Sequence, residues 1–318
     1  AYEISACLGG SEMCIRDSAY TKQPNDATQN IGNGSYSTAD PYVKKVWDGR
    51  YTGIRMCNEL LENIDRVPDL DPELKKRYIG EAKVLRAYNY YELYTKFGDV
   101  PYTTKVLSIK ESMSIARTAK ATVIANVLAD LDEVINGNYL PTSYDADNKG
   151  RITRWAAMAI KAKIYLFEGN WTQVKNITST IMTEGGFKLF ESYAGLFEIA
   201  NEYNSEVILD AQYRPTSREH QMMYVFLPPT LGGYSQLSPL QELVDSYIML
   251  DGKTIKETGT SFDESHPYAN RDPRLKATVM YTGNSYTLAD GTEVVINCEK
   301  GEGKDGYGVG SVSYTHLR

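Results

Sequence analysis

The sequence predicts a mainly α protein. Stacked helix pairs of tetratricopeptide type should wind into a right-handed superhelix over residues 42–183, with an irregular, loop- and short-strand-rich second half. Three observations predict this. Apolar and aromatic residues recur at helical spacing in successive segments before Gly186. A helix stop, Phe97-Gly98-Asp99, recurs as Glu168-Gly169-Asn170, 71 residues later, close to two periods of a roughly 34-residue helix-pair repeat. Beyond Gly186 the pattern changes to short apolar runs broken by Gly, Pro and Asn.

The elements follow in order. Residues 19–41 are polar and rich in Asn, Gly, Ser and Thr, which predicts a long loop. In the helix expected over Tyr42–Asn63, Trp47, Tyr51, Ile54, Asn58 and Leu61 step 4-3-4-3, one buried stripe. Asp71 is a candidate N-cap with Pro72 at the first helical position. The helix that follows ends at Gly98, and Pro101 keeps it from resuming. Ala82, Leu85, Asn89 and Leu93 are its expected inner stripe, widened by Tyr88 and Phe97. Further helices are expected over Thr122–Ile135, with Val123, Val127, Leu128, Leu131 and Val134 inward, over Thr153–Phe167, and over Trp171–Met182. In the second half, strands are expected at Glu206–Tyr213, Tyr224–Leu227, Ala277–Tyr281, Ser285–Leu288 and Glu293–Cys298, the last two as a hairpin through Asp290-Gly291. A short helix over Pro239–Tyr247 would take Ser238 as its cap.

The motifs carry a resemblance as well as a pattern. The stretch Gly80-Glu-Ala-Lys-Val-Leu-Arg-Ala-Tyr-Asn-Tyr-Tyr-Glu-Leu-Tyr-Thr-Lys-Phe-Gly-Asp-Val-Pro-Tyr102 resembles the central helix of the SusD/RagB family, GEA-x-x-x-RA-x-x-Y-x-x-L-x-x-x-FGDVP. Upstream, the segment from Trp47 through Tyr51 and Ile54 to Asn58 is similar to the family's W-x-x-x-Y-x-x-I-x-x-x-N helix. Downstream, Gly150-Arg-Ile-Thr-Arg-Trp-Ala-Ala157 and Ala159–Leu166 resemble GR-x-T-x-x-AA-x-A-x-KA-x-x-YL. Asn204–Ile208, Ser238–Asp245 and Arg271–Leu275 complete a series running from about Trp47 to Tyr281. The resemblance implies a SusD-like α/α superhelix and non-enzymatic capture of oligo- or polysaccharide at the bacterial outer surface. It further implies a SusC-type TonB-dependent transporter as partner, and an outer-membrane, extracellular location through a lipid anchor that this fragment lacks.

The ends do not fit that series. Within residues 1–18, the run Cys7–Ser18 resembles translated sequencing-adapter read-through, as does Ser311–Arg318. They are set aside from fold reasoning, leaving 19–310 as a single domain fragment with a helical part over 42–183 and a loop-rich ligand part over 184–310. The expectation is that both ends make little tertiary contact.

Composition narrows the functions. A net charge of −7 and no clustered Lys/Arg stripe argue against a nucleic-acid partner, which needs a basic face for phosphates. No apolar run approaches the roughly 18 residues of a membrane span. The 25 tyrosines against 7 phenylalanines suit surfaces that are apolar on one side and wet on the other, such as sugar-binding platforms and partly buried helix faces. Cys57 sits in a predicted helix and reads as a small buried apolar residue. No CxxC or Cys/His pairing exists, and His220, His266 and His316 are far apart, so no metal is expected. Gly301–Gly306 matches GxGxxG, but no helix is expected after it to meet a pyrophosphate, so no cofactor is implied. Asp145-Ala-Asp147-Asn148-Lys-Gly150 begins like a calcium loop, yet Ala156 stands where the bidentate Glu is due.

The resemblance places ligand contacts in the segment before the first helix and in the later loops. By region, not by a matched motif, these are Tyr20, Tyr36 and Tyr42, then Tyr213, Arg214, Tyr224 and Tyr234. Two other classes stay open. One is a helical-repeat adaptor for a protein partner. The other is an all-α glycoside hydrolase, whose barrel needs helix pairs throughout, and the second half does not supply them.

Overall fold

A computed structural model describes residues 18–20, 37–213, 227, 231–233, 237–239, 241–287, 291–296 and 313–314. The chain divides into two compact units. The first comprises Ser37–Leu189 with Ser205–Gln212; the second comprises Phe190–Asn204 and the described residues outside both.

The first unit is helical. Helix α1, Pro41–Asn63, starts where Asp40 accepts the Tyr42 N–H at 2.9 Å, ahead of which Pro41 needs no donor partner. Its 4-3-4-3 stripe faces inward as the spacing predicts: Ile54 and Asn58 are buried, and Trp47 and Tyr51 pack on the core. Cys57 is buried and free. Helix α2, Pro72–Phe97, is capped by Asp71, which accepts the Leu74 N–H at 2.8 Å, and is stopped by Gly98 at φ +67. The recurring stop at Gly169 has φ +73, so both turns need the left-handed backbone that glycine adopts freely. A six-residue helix not foreseen from the sequence, α3 (Ile109–Ser114), is held by a capping box between Ser108 and Glu111. Helix α4 spans Lys120–Asn136, α5 spans Arg154–Phe167 behind its cap Thr153, and α6 spans Trp171–Glu184 behind Asn170. Helix α1 packs on α2, α2 on α4, α4 on α5, and α5 on α6. This is the stacked arrangement expected of a helical repeat.

The inner stripe expected for α2 needs correction. Ala82 and Leu93 are buried as expected and Tyr88 and Phe97 pack on the core, but Leu85 is 46% exposed and Asn89 is only half-buried. The fully buried residues are Val84, Ala87, Tyr90, Tyr91, Leu93 and Tyr94. Helix α2 lies between α1 and α4 and also touches α5, so it is covered around most of its circumference and has no single apolar side.

Two glycines fix the spacing around α2. A Cβ at Gly53 of α1 would lie 2.8 Å from the Asn89 amide. One at Gly80 of α2 would lie 2.8 Å from Tyr139 Cβ and 3.1 Å from the Leu140 side chain. Alanine at Gly80 would improve helix propensity by about 1 kcal/mol. It would also push on a backbone-near atom that cannot swing away. We therefore expect Gly80→Ala to destabilise by about 1–3 kcal/mol, read as a lowered midpoint in a urea titration.

The second unit has short elements. Strand β1 (Ser18–Tyr20) pairs antiparallel with β2 (Leu237–Pro239), β3 (Val279–Met280) with β6 (Ser313–Tyr314), and β4 (Ser285–Thr287) with β5 (Glu293–Val295). The β4–β5 hairpin is the one its alternation and Asp-Gly predict, with Thr287 opposite Glu293 and Gly291 at φ +84. Helices α7 (Gln241–Ser246) and α8 (Pro273–Thr278) supply Val244 and Leu275 to a small core with Val279, on which Tyr247, Tyr268 and Tyr281 pack. Tyr268 and Tyr281 stack at 4.0 Å between centroids.

Several second-half expectations fail. Residues 206–213 form no strand; Ile208 packs on the helical core instead, and the Gln212 amide sits against Gly150. Ser238 is not a helix cap but a β2 residue opposite Ala19, and α7 begins only at Gln241. Within the run 277–281, Asp272 and Pro273 start a helix that extends to Thr278, leaving Val279–Met280 as strand. Residues 224–226 of another expected strand lie outside the described residues. Ser18 and Ser313–Tyr314 fall in the segments expected to make little contact, yet Ser18 pairs with Pro239 and Ser313–Tyr314 with β3. Backbone pairing needs no particular side chains, so this bears on contact and not on where the segments came from.

Candidate functional site

Of the seven residues named from the sequence, Tyr36, Arg214, Tyr224 and Tyr234 lie outside the described residues. Tyr20 closes β1 at the register position opposite Leu237. Tyr42 occupies the first turn of α1 and is half-buried, as is Tyr213. Tyr42 belongs to the helical unit and Tyr213 to the second unit.

The family-like motifs turn out to be scaffold. Arg86 of α2 donates to Asn58 Oδ1 at 2.9 Å and to Asp130 Oδ2 at 2.7 and 3.1 Å. The Asn58 amide in turn donates to the Thr103 and Lys105 carbonyls at 3.2 and 3.1 Å. Tyr90 and Tyr51 pin the same connection, donating to the Thr103 and Pro101 carbonyls at 2.9 and 2.8 Å. Burial pushes the Tyr90 and Tyr51 hydroxyls well above the ordinary phenol range, so both stay protonated donors. Glu81 and Arg151, 70 positions apart in two separate motifs, form a two-pronged pair at 2.8 and 2.6 Å. Tyr144 donates to the Ile152 carbonyl at 3.1 Å, and burial, with the Glu81 charge, raises its pKa to about 12.

Beside this scaffold lies a cleft of about 490 Å³ between the start of α2 and the α4–α5 connection. It is lined among others by Arg77, Arg154, Tyr139, Asn138 and Thr142, with Asp71 and Glu73. The Arg77 guanidinium lies over the Tyr78 and Tyr144 rings at 5.6 and 5.7 Å, and Arg154 over Trp155 at 6.0 Å. The Nε atom of each arginine is buried without a hydrogen-bond partner. Asn138 has φ +51, but it follows Gly137 at the end of α4, where an αL residue closes the helix and the Tyr139 N–H returns to Val134. Its strain is thus a helix terminus and no sign of ligand. This cleft was not foreseen. Arg77 and Arg154 come together only through packing, and no local pattern joins residues so far apart.

Trp171 opens α6 with 61% of its surface exposed, a further aromatic face the sequence did not single out. Among the described residues, no group of three or more His, Cys, Asp or Glu could hold a metal ion. No helix among them is long and apolar enough to cross a membrane.

Two family models match in sequence order. The first, described as starch-binding and associating with the outer membrane (SusD-like), covers residues 11–166, and the second, the SusD family, covers residues 195–314. A SusD-like protein of Formosa agariphila is 30% identical over 209 residues, 63% of this chain and 39% of that protein. A SusD-like carbohydrate-binding protein of Bacteroides fragilis has the same fold at a TM-score of 0.83 and 24% identity, covering 95% of this chain and 60% of that one. A laminarin-binding SusD-like protein matches at a TM-score of 0.72 and 23% identity, covering 94% of this chain and 64% of that one. The chain thus spans about half the length of the relatives it matches.

Proposed function

This chain belongs to the SusD/RagB family, and we propose that it captures oligo- or polysaccharide at the bacterial outer surface without cleaving it. The observation that carries this is the ordered pair of family matches spanning both halves of the chain, the first of them described as starch-binding at the outer membrane. Hand-over to a SusC-type TonB-dependent transporter and a lipid anchor on the extracellular face complete the proposal.

Capture without turnover asks for aromatic faces on which sugar rings stack, and for amide or guanidinium donors to hydroxyls. We assign these to the 19–42 and 213–235 segments, through Tyr20, Tyr36, Tyr42, Tyr213, Arg214, Tyr224 and Tyr234. Single stacking contacts are weak, so dissociation constants from about micromolar to millimolar are expected. Calorimetry against plant, host and microbial polysaccharides tests the reading, with reducing-end release followed in parallel. Binding with no new reducing ends is the expected result, and Tyr36, Tyr213, Tyr224 and Tyr234 changed together to Ala should weaken it several-fold. Release of reducing ends would move the protein to the hydrolases. Undiminished binding by the quadruple variant would remove the site assignment.

A further inference from the structure

We propose that the cleft between the start of α2 and the α4–α5 connection receives an acidic sugar, with Arg77 and Arg154 holding its carboxylate or sulfate. The proposal rests on the glycan-capture reading and names a substrate class for it. Its starting point is a contrast between neighbouring arginines. Arg151 lies over the same Tyr78 ring as Arg77, at 5.6 Å, but its donors are taken up by Glu81. Arg86 is taken up by Asp130 and Asn58. Arg77 and Arg154 are held by aromatic rings in the same way, yet neither guanidinium has a protein acceptor among the described residues. With no acidic side chain of the described residues bonded to them, the outer Nη edges of both forks are left for an acceptor from outside.

The chemistry of the two groups selects the acceptor. A guanidinium stacked on a ring keeps its in-plane N–H groups free, and that planar fork matches a carboxylate or sulfate edge. With each Nε closed off, an incoming anion would meet the Nη ends. Tyr139, with the Lys76 ammonium over its ring at 5.7 Å, also lines the cleft, and the Asn138 amide and Thr142 hydroxyl are partners for sugar hydroxyls. Its volume of about 490 Å³ falls within the roughly 300–1,000 Å³ of small-molecule sites. Asp71 and Glu73 line the cleft too. Asp71 is occupied as the α2 cap, but Glu73, in the first turn of α2, leaves a negative charge that opposes an anion. That opposition supplies a test which a purely structural role of the arginines would not pass.

Affinity electrophoresis in gels containing polygalacturonate, ι-carrageenan or laminarin would compare the wild-type chain with Arg77→Gln/Arg154→Gln and with Glu73→Gln. Thermal melts would establish that each variant is folded. Retardation by an acidic polymer is expected, falling about tenfold in the double arginine variant and rising about two- to three-fold in Glu73→Gln. Polygalacturonate carries carboxylates and no sulfate, and ι-carrageenan the reverse, so the gel that retards identifies the group. If the double arginine variant does not fold, Glu73→Gln alone decides: tighter acidic binding supports the site, and unchanged binding overturns it. Retardation by laminarin alone, or acidic binding indifferent to the arginines, would overturn the acidic subsite and leave glycan capture standing. No retardation in any gel would count against both.

Discussion

Arg271→Ala is expected to cost the second unit its cooperative unfolding. The Arg271 side chain is 6% exposed and lies in a neighbourhood built from backbone carbonyls. It donates to Val244 O at 2.6 Å, to Tyr247 O at 2.7 and 3.2 Å, and to Pro267 O at 2.8 Å. The first two belong to α7 and the residue after it, so the guanidinium closes the end of that helix and ties it to the loop before α8. Burial pulls its pKa below the ordinary arginine value, although the group remains charged at any physiological pH. Alanine would leave the Tyr247 and Pro267 carbonyls without donors, at about 1–3 kcal/mol each, and the Val244 carbonyl with only the long Tyr247 N–H contact at 3.4 Å. A total of about 3–5 kcal/mol is a large part of the 5–15 kcal/mol that stabilises a typical domain. Lysine should not restore the loss, because one ammonium cannot reach three carbonyls from the position of a planar fork. Limited proteolysis mapping cleavage to residues 240–280, together with a calorimetric melt, checks this. A midpoint within about 2 °C of wild type would contradict it.

The second large effect is expected at Arg86. This side chain is 4% exposed, at the centre of α2, and joins Asn58 of α1 to Asp130 of α4. Its removal would leave the mostly buried Asp130 carboxylate with only Lys83, at 3.8 Å, and loosen Asn58, which holds the Thr103 and Lys105 carbonyls. Breaking a buried pair from one side costs about 3–5 kcal/mol, whereas replacing both partners by apolar groups is often near neutral. Arg86→Ala should therefore lower the denaturation midpoint of the helical unit sharply. Arg86→Met combined with Asp130→Leu should recover much of it. A double variant as unstable as Arg86→Ala alone would show that the geometry at Asn58, and not the stranded charge, carries the cost. Neither change touches the proposed ligand groups, so a folded remnant should still bind glycan.

The sequence alone carried the helical half a long way. Asp71 before Pro72 and the glycine stops at Gly98 and Gly169 were legible, because a helix end is fixed by residues within four positions of it. So was the 4-3-4-3 stripe of α1, whose single buried side faces the rest of the unit. The short strands were harder. The β4–β5 hairpin carried its own turn signal, but residues 206–213 had strand-like composition and no ladder, since a strand is made by its partner and not by its own residues.

By itself, then, the sequence determined where the longer helices of the first unit lie, though not the short α3, that the chain is mainly α, and which family's motifs it carries. The tertiary structure decided what those motifs do: Gly80 makes room for Tyr139, Glu81 takes Arg151, and Arg86 takes Asp130. It decided also that Tyr90, Tyr91 and Tyr94 of α2 are buried while Leu85 is exposed. And it brought Arg77 to the same cleft as Arg154 while giving their neighbours Arg151 and Arg86 acidic partners. The physical reason is one of range. Helix periodicity, caps and turns are written in contacts a few residues long, whereas the coverage of α2 and the lining of the cleft are set by segments tens of residues apart, which meet only when the helices pack.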